Sequence, residues 1–446
     1  MITFNNTLDI ALQSIHQWNY RNLLTIVTIV RDVYGKVSFM MDNTETVPDE
    51  VQQSLIVILE QNMGPYFSGR IYWKRIPHNR QNTEGRRIAP IINIIEGERL
   101  FWKREENIDF YVSERPIAKK AWIKTPDILE SVWSYESAVE ENGTKVVTFY
   151  SFKGGMGRTT ALAGVALTLA MQGKNVMMVD TDIEAPGLAT LFFETDAITK
   201  GVLDYLIEHE IDGNVNIGDY VLDVTEPALL NEDDGQIYLM PAGRVDRNYL
   251  QKLARIDYQD NRENHLKNLM TALLVDVRER YEVDYILIDA RAGFHDMGGV
   301  AVAQLPHGAV LFGNDSRQSW DGLTQVLRAI AEGHTEDFPV MLVDTMCAKP
   351  TAANFISGRE RFIQNAYTIC VENYYDSESG IPGIEAEGEI HSPEFVPFND
   401  ELLHEVILYS DGSQGQNQRV SAFKTILISD CYKKIADRIK GWFGEE

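Results

Sequence analysis

Apolar positions follow two different rhythms along the 446-residue chain. In the first third they form short β-rich runs at 23–31 (LLTIVTIVR) and 37–42 (VSFMMD), separated by Tyr34, Gly35 and Lys36. That pattern predicts a hairpin. Residues 47–63 repeat at helical spacing, with Pro48 and two acids in the first turn and Gly64-Pro65 as a stop. A third strand is predicted at 69–74 (GRIYWK), followed by apolar stretches at 87–95 and 108–112. Residues 125–140 read as a connecting helix closed by Asn142-Gly143. The boundary is placed there, giving a small α/β domain over 1–140 and a second domain over 141–446.

From Lys145 onward the rhythm changes. Short continuous apolar runs at 146–151, 176–180, 237–240, 285–289, 308–312 and 340–343 alternate with helical patterns at 159–172, 266–281 and 322–333. A strand apolar at every position is covered on both faces, as in a parallel sheet. The alternation predicts an α/β fold: a doubly wound, mostly parallel sheet with the smaller N-terminal α/β domain attached.

Charge narrows the classes of partner. The net charge is −25, yet 1–140 is nearly balanced, with 16 basic and 18 acidic residues against 25 and 48 in the remainder. Broad nonspecific DNA binding is not expected of so acidic a second domain, because it would repel phosphates. Any nucleic-acid contact should fall in the N-terminal part. Cys347, Cys370 and Cys431 are far apart, without the paired spacing of a zinc site. No run approaches the ~18 apolar residues of a membrane span, and the opening MITFNNTLDI lacks a signal-peptide layout. A cytoplasmic setting is expected.

The chemistry concentrates after the first strand of the second domain. VVTFYSFKGGMGRTTALAGVALTLA runs from a buried strand into Lys153, Gly154, Gly155, Met156, Gly157, Arg158, Thr159 and Thr160, then into a helix rich in small residues. Glycines let successive backbone N–H groups turn into one concave nest, and the helix start adds its own unpaired N–H groups and positive dipole end. The Thr159 hydroxyl stands where a phosphate-binding loop ligates Mg²⁺.

These residues carry a resemblance. KGGMGRTT resembles the deviant Walker loop of the ParA/MinD family, K-G-G-x-G-K-[ST]-T, including its first lysine, here Lys153. In that family this lysine reaches across a dimer to phosphates bound by the other subunit. The resemblance therefore implies an ATP-sandwiched homodimer, with the loop residues 154–160 binding phosphates. The departure is Arg158, where the family has lysine; a planar guanidinium forks to oxygens but does not reproduce an ammonium point charge. The KGGxGRT spelling resembles a variant branch of the family. VMMVDTDIEAPGL matches the family's D-x-D motif, which assigns Asp182 to the attacking water and Asp180 to the Mg²⁺ shell. DYILIDARAGFHD has Walker B form, with Asp289 holding a Mg²⁺-bound water and Gly293 at the switch glycine. Arg291 acquires no role. At PVMLVDTMC, Asp344 stands where the family's asparagine meets adenine; a carboxylate accepts from either adenine or guanine, and ATP is the expectation. EFVPFNDELLHEV resembles the late loop beside the base. The resemblance spans about 145–440.

Two further segments have two readings each. RIYWKRIPHNRQNTEGRR at 70–87 interleaves basic and aromatic residues as single-strand binders do, but such stretches more often bury their aromatics. The segment at 425–443 (TILISDCYKKIADRIKGWF) has the form of a membrane-touching helix, but the commoner outcome is packing on its own sheet. His295 near the Walker B strand is read as a packing residue. The function expected is an Mg²⁺-dependent ATPase acting as a dimerising switch on a protein partner, in a multi-protein stress or defence system by analogy. The alternatives are a non-hydrolysing scaffold and a DNA- or membrane-positioning ATPase. Lys153, Arg158 and Asp182 carry the chemistry in that expectation.

Overall fold

The computed structural model describes residues 2–75, 86–115, 120–122, 138, 143–256, 265–333, 338–375 and 380–445. Apart from Ala138, the helix expected at 125–140 lies outside them, as do residues 76–85 of the basic stretch. The chain divides into two compact units. One is Met1–Lys120 with Thr125–Asp127, and the other is Ala121–Lys124 with Ile128–Glu446.

The first unit is a five-stranded sheet of order β3-β2-β1-β5-β4. Its strands are β1 (Leu24–Arg31), β2 (Val37–Asn43), β3 (Phe67–Trp73), β4 (Leu100–Glu105) and β5 (Ile108–Glu114). The hairpin between β1 and β2 closes as the turn residues require. Gly35 takes φ +78°, and the Asp32 carboxylate accepts from the amides of Tyr34 and Lys36. Alternate residues serve opposite faces. Val27, Ile29 and Phe39 pack with Ile15, Leu55 and Leu59 of the helices Thr7–Gln17 and Asp49–Met63, while Val30 and Met40 meet Ile92 and Ile95 of the helix Arg86–Glu98. Strand β4 escapes the period-two pattern because its register shifts between Phe101 and Lys103. In the basic stretch, Trp73 is buried against Trp18, so its ring is not free to stack on a base.

The second unit is an eight-stranded sheet of order β13-β12-β11-β6-β10-β7-β9-β8. Its strands are β6 (Lys145–Ser151), β7 (Val176–Asp180), β8 (Leu222–Asp223), β9 (Ile237–Met240), β10 (Tyr285–Asp289), β11 (Gly308–Gly313), β12 (Val340–Cys347) and β13 (Glu394–Pro397). All neighbours are parallel except β8, which is antiparallel to β9. Every residue of β6, β7, β10 and β11 is buried, as their unbroken apolar runs demand. The expected α/β architecture is thus present: a doubly wound, mostly parallel sheet.

The final helices, Gln414–Leu427 and Asp430–Trp442, pack on the helix Arg158–Met171. They come so close that a Cβ on Gly164 would stand 2.6 Å from the Leu427 carbonyl oxygen. Tyr432, Ile435, Ile439 and Phe443 are buried there, so the apolar face of the last helix is spent on its own domain. Arg438 is equally engaged, donating to the carbonyls of Gly388, Glu389 and Ser392. Among the described residues no helix is long and apolar enough to cross a membrane.

Candidate functional site

The site is assembled by sheet register. Asp289 at the end of β10 pairs laterally with Asp180 at the end of β7, and on its other side with Phe149 of β6, three residues before the loop begins. Three carboxyl-terminal strand ends therefore converge where an open α/β sheet binds ligands. The loop 152–157 leaves β6 and enters the helix Arg158–Met171 through Gly157. Gly155 (φ +75°) and Gly157 (φ +68°) hold the left-handed conformation that turns amides inward. A Cβ added at Gly154, Gly155 or Gly157 would meet nothing within 4 Å, so the loop surrounds open space. A phosphate chain fits that cradle. Thr160 lies in the first helical turn, half-buried like Thr159.

Met156 acts as the loop's anchor. It is buried in the core beneath the loop, and its sulfur lies 3.9 Å from the Thr345 hydroxyl of β12, which donates to the Gly313 carbonyl. The next residue toward the N-terminus on that strand is Asp344, buried and in register with Gly313. Burial, and secondarily the Asp315 charge, push its carboxyl up to about 7, while Arg359 pulls the other way. Arg359 also stacks on Phe395 of β13, 3.6 Å from the ring centre, within the stretch expected beside the base.

The charged centre is arranged around Arg158. Its Nε donates to one Asp289 oxygen, the Thr159 hydroxyl donates to the other at 2.7 Å, and Nη2 lies 3.5 Å from Asp182. Burial works against the guanidinium's charge, but Asp289, Asp182 and Asp180 outweigh it and raise the pKa. Asp180 is held by backbone: one oxygen accepts from the Asp182 amide at 3.0 Å, the other from Gly187 and Leu188 at 3.2 and 3.1 Å. Burial beside the Asp289 charge nevertheless pushes its carboxyl up to about 7. Asp182 is also raised by burial, with Arg158 and Arg291 opposing. Lys153 is half-buried in the loop and has no ion-pair partner among the described residues.

Two peripheral groups, Glu184 and Trp122, border the site. Arg291, given no role above, forms an ion pair with Glu184, and His295 lies 3.7 Å from the same carboxylate. Glu184 thereby joins the loop after β7 to the loop after β10, which carries Gly293 at φ +80°. Trp122 donates its indole N–H to the His295 carbonyl at 2.7 Å, and its ring lies 5.6 Å from Tyr150 and 5.3 Å from Phe294. Phe294 in turn lies 4.9 Å from Phe152, at the start of the phosphate loop. An acid two residues after D-x-D was a visible signal for Glu184. Trp122 had none, being about 170 residues from its partner.

The family model that matches is an AAA domain, over residues 144–334. The septum site-determining protein MinD of Bacillus subtilis is 27% identical over 151 residues, 33% of this chain and 46% of that protein. The second unit is similar to the ParA/MinD family of P-loop ATPases. The tyrosine-protein kinase CpsD of Streptococcus agalactiae is 24% identical over 132 residues, 30% of this chain and 51% of CpsD. The chain thus spans about half the length of the curated relatives it matches. The solved structure of pNOB8 ParA aligns with 67% of this chain and 99% of its own, at 14% identity and TM-score 0.47.

The family implies a nucleotide and Mg²⁺. The open cradle and its left-handed glycines fit the phosphates. The cation is a different matter, because the donors expected around it are engaged with protein groups. Asp289 accepts from Arg158 and Thr159, and both Asp180 oxygens accept from amides. Among the described residues no group of three or more His, Cys, Asp or Glu is arranged to hold a metal ion. Residues Thr159, Asp180 and Asp289 lie together, but not as an open ligand set.

Proposed function

We propose that the chain is an ATP-dependent switch: ATP in the 153–160 loop closes a homodimer, slow hydrolysis reopens it, and the state is passed to a protein partner. The observation that carries this reading is the contrast between the two cations of the loop. Arg158 is committed to Asp289 and Asp182, whereas Lys153 is half-buried without an ion-pair partner among the described residues. A lysine left without a carboxylate beside a phosphate cradle is suited to a phosphate outside its own loop, and in a sandwiched dimer that phosphate belongs to the second copy. Asp182, on the more open side of the cage, is the group for orienting water. Phosphates contacted from two subunits supply the differential contacts that a population shift requires.

Light scattering on size-exclusion fractions tests this, with ATP and Mg²⁺ in the buffer. The Asp182→Ala variant is expected to run as a stable dimer and the unsubstituted chain as a transient one. If both stay monomeric while calorimetry shows ATP uptake, the switch fails and a non-hydrolysing nucleotide scaffold replaces it.

Trp122 supports a route by which the state leaves the site. It stands where the chain enters the second unit, and it holds the Gly293 loop by the hydrogen bond to His295. Trp122→Phe keeps the ring contacts and removes that bond. Losing about 1 kcal/mol of local stability should speed amide exchange over residues 291–299 about fivefold. Unchanged exchange there would remove Trp122 from the route.

A further inference from the structure

We infer that Arg158 is the resident cation of this site, and that the guanidinium takes the electrostatic place of a divalent ion when the nucleotide binds. The inference rests on the nucleotide-binding reading above and concerns how that site balances its charge. Three carboxyl groups, Asp180, Asp182 and Asp289, converge at the strand ends, and a phosphate chain adds further negative charge beside them. Some cation must lie between. Here one is built in: the Arg158 side chain is 9% exposed, bonded to Asp289 and 3.5 Å from Asp182, against side-chain exposures of 2% and 14% for these acids.

The geometry suits arginine and not the lysine it replaces. A planar fork presents donors in two directions from one rigid group, so Nε serves Asp289 while Nη2 faces Asp182. A lysine ammonium is a single point that would sit on one acid and leave the other open to an added metal. Thr159 completes the closure. Its hydroxyl, the expected metal ligand, donates to the second Asp289 oxygen, so both oxygens of that carboxylate are satisfied within the chain. Asp180 is satisfied by three amides. A divalent ion entering this cage would compete with the guanidinium for Asp289 and be repelled by its charge at close range.

Isothermal titration of ATP into the full chain decides the matter, once with MgCl₂ present and once with EDTA. The expected result is a Kd that changes less than about fivefold between the two, while Arg158→Lys loses more than about tenfold affinity in EDTA because its ammonium cannot span both acids. If the unsubstituted chain binds ATP with Mg²⁺ but loses more than about fivefold affinity in EDTA, the inference is overturned and the switch reading survives. Arg158→Lys binding as indifferent to the metal as the parent also overturns it. ATP binding in neither buffer removes both readings. Should Arg158→Lys not fold, the unsubstituted chain alone decides, since its response to EDTA is the primary result.

Discussion

Arg158→Met is expected to lower the unfolding free energy of the second unit by about 3 kcal/mol, because breaking a buried ion pair strands its partner. Asp289 lies at the end of a strand buried along its whole length, with its side chain 2% exposed. Methionine matches much of the arginine stem but offers no positive charge, and one Thr159 hydroxyl does not compensate a desolvated carboxylate. Adding Asp289→Asn to Arg158→Met should recover all but about 1 kcal/mol, since an uncharged amide tolerates burial when hydrogen-bonded. Urea unfolding followed by tryptophan fluorescence measures both variants. A loss below about 1 kcal/mol for Arg158→Met would mean that the pair does not carry the buried charge in solution.

The second large effect is expected at Gly322. An alanine there should weaken ATP binding about tenfold or more, a cost of at least about 1.4 kcal/mol. Helix propensity alone argues the opposite, since Gly→Ala inside a helix stabilises by up to about 1 kcal/mol. Packing reverses the sign. Gly322 lies within the helix Arg317–Gly333, and an added Cβ would stand 2.0 Å from Phe152 Cγ and 2.1 Å from its Cδ1. Overpacking of that kind costs about 1–3 kcal/mol and forces movement of the less constrained partner. Phe152 immediately precedes Lys153, so its displacement moves the mouth of the phosphate cradle. Phe152→Ala in the Gly322→Ala background should restore much of the affinity by clearing the collision. Calorimetric ATP affinities of the parent, Gly322→Ala and the double variant provide the measurement, and an unchanged affinity in Gly322→Ala would dismiss the coupling.

Much of the second unit was legible from the chain because its information is local. A strand buried on both faces must be apolar throughout, and β6, β7, β10 and β11 are. The glycine loop and the strand-end aspartates are likewise short-range patterns, each readable within about ten residues. In the first unit β4 was not read, because a register shift between Phe101 and Lys103 breaks the alternation by which such strands are recognised. The helix Arg86–Glu98 is hidden in the sequence by a proline, Pro90, inside its apolar stretch.

By itself, then, the sequence determined which residues stand at strand ends, where the backbone must turn through positive φ, and that Arg158 replaces a lysine. Those are properties of residue types and of their spacing along one element. What the guanidinium does was decided by tertiary structure. Parallel registry of β6, β7 and β10 places Asp180 beside Asp289, and the loop carries Arg158 to Asp289 and Asp182. The same holds for Met156, counted among the phosphate-binding loop residues and found buried beneath the loop, and for Trp122, whose hydrogen-bond partner is His295. A contact between distant segments depends on where two folded elements meet, and no local pattern encodes that.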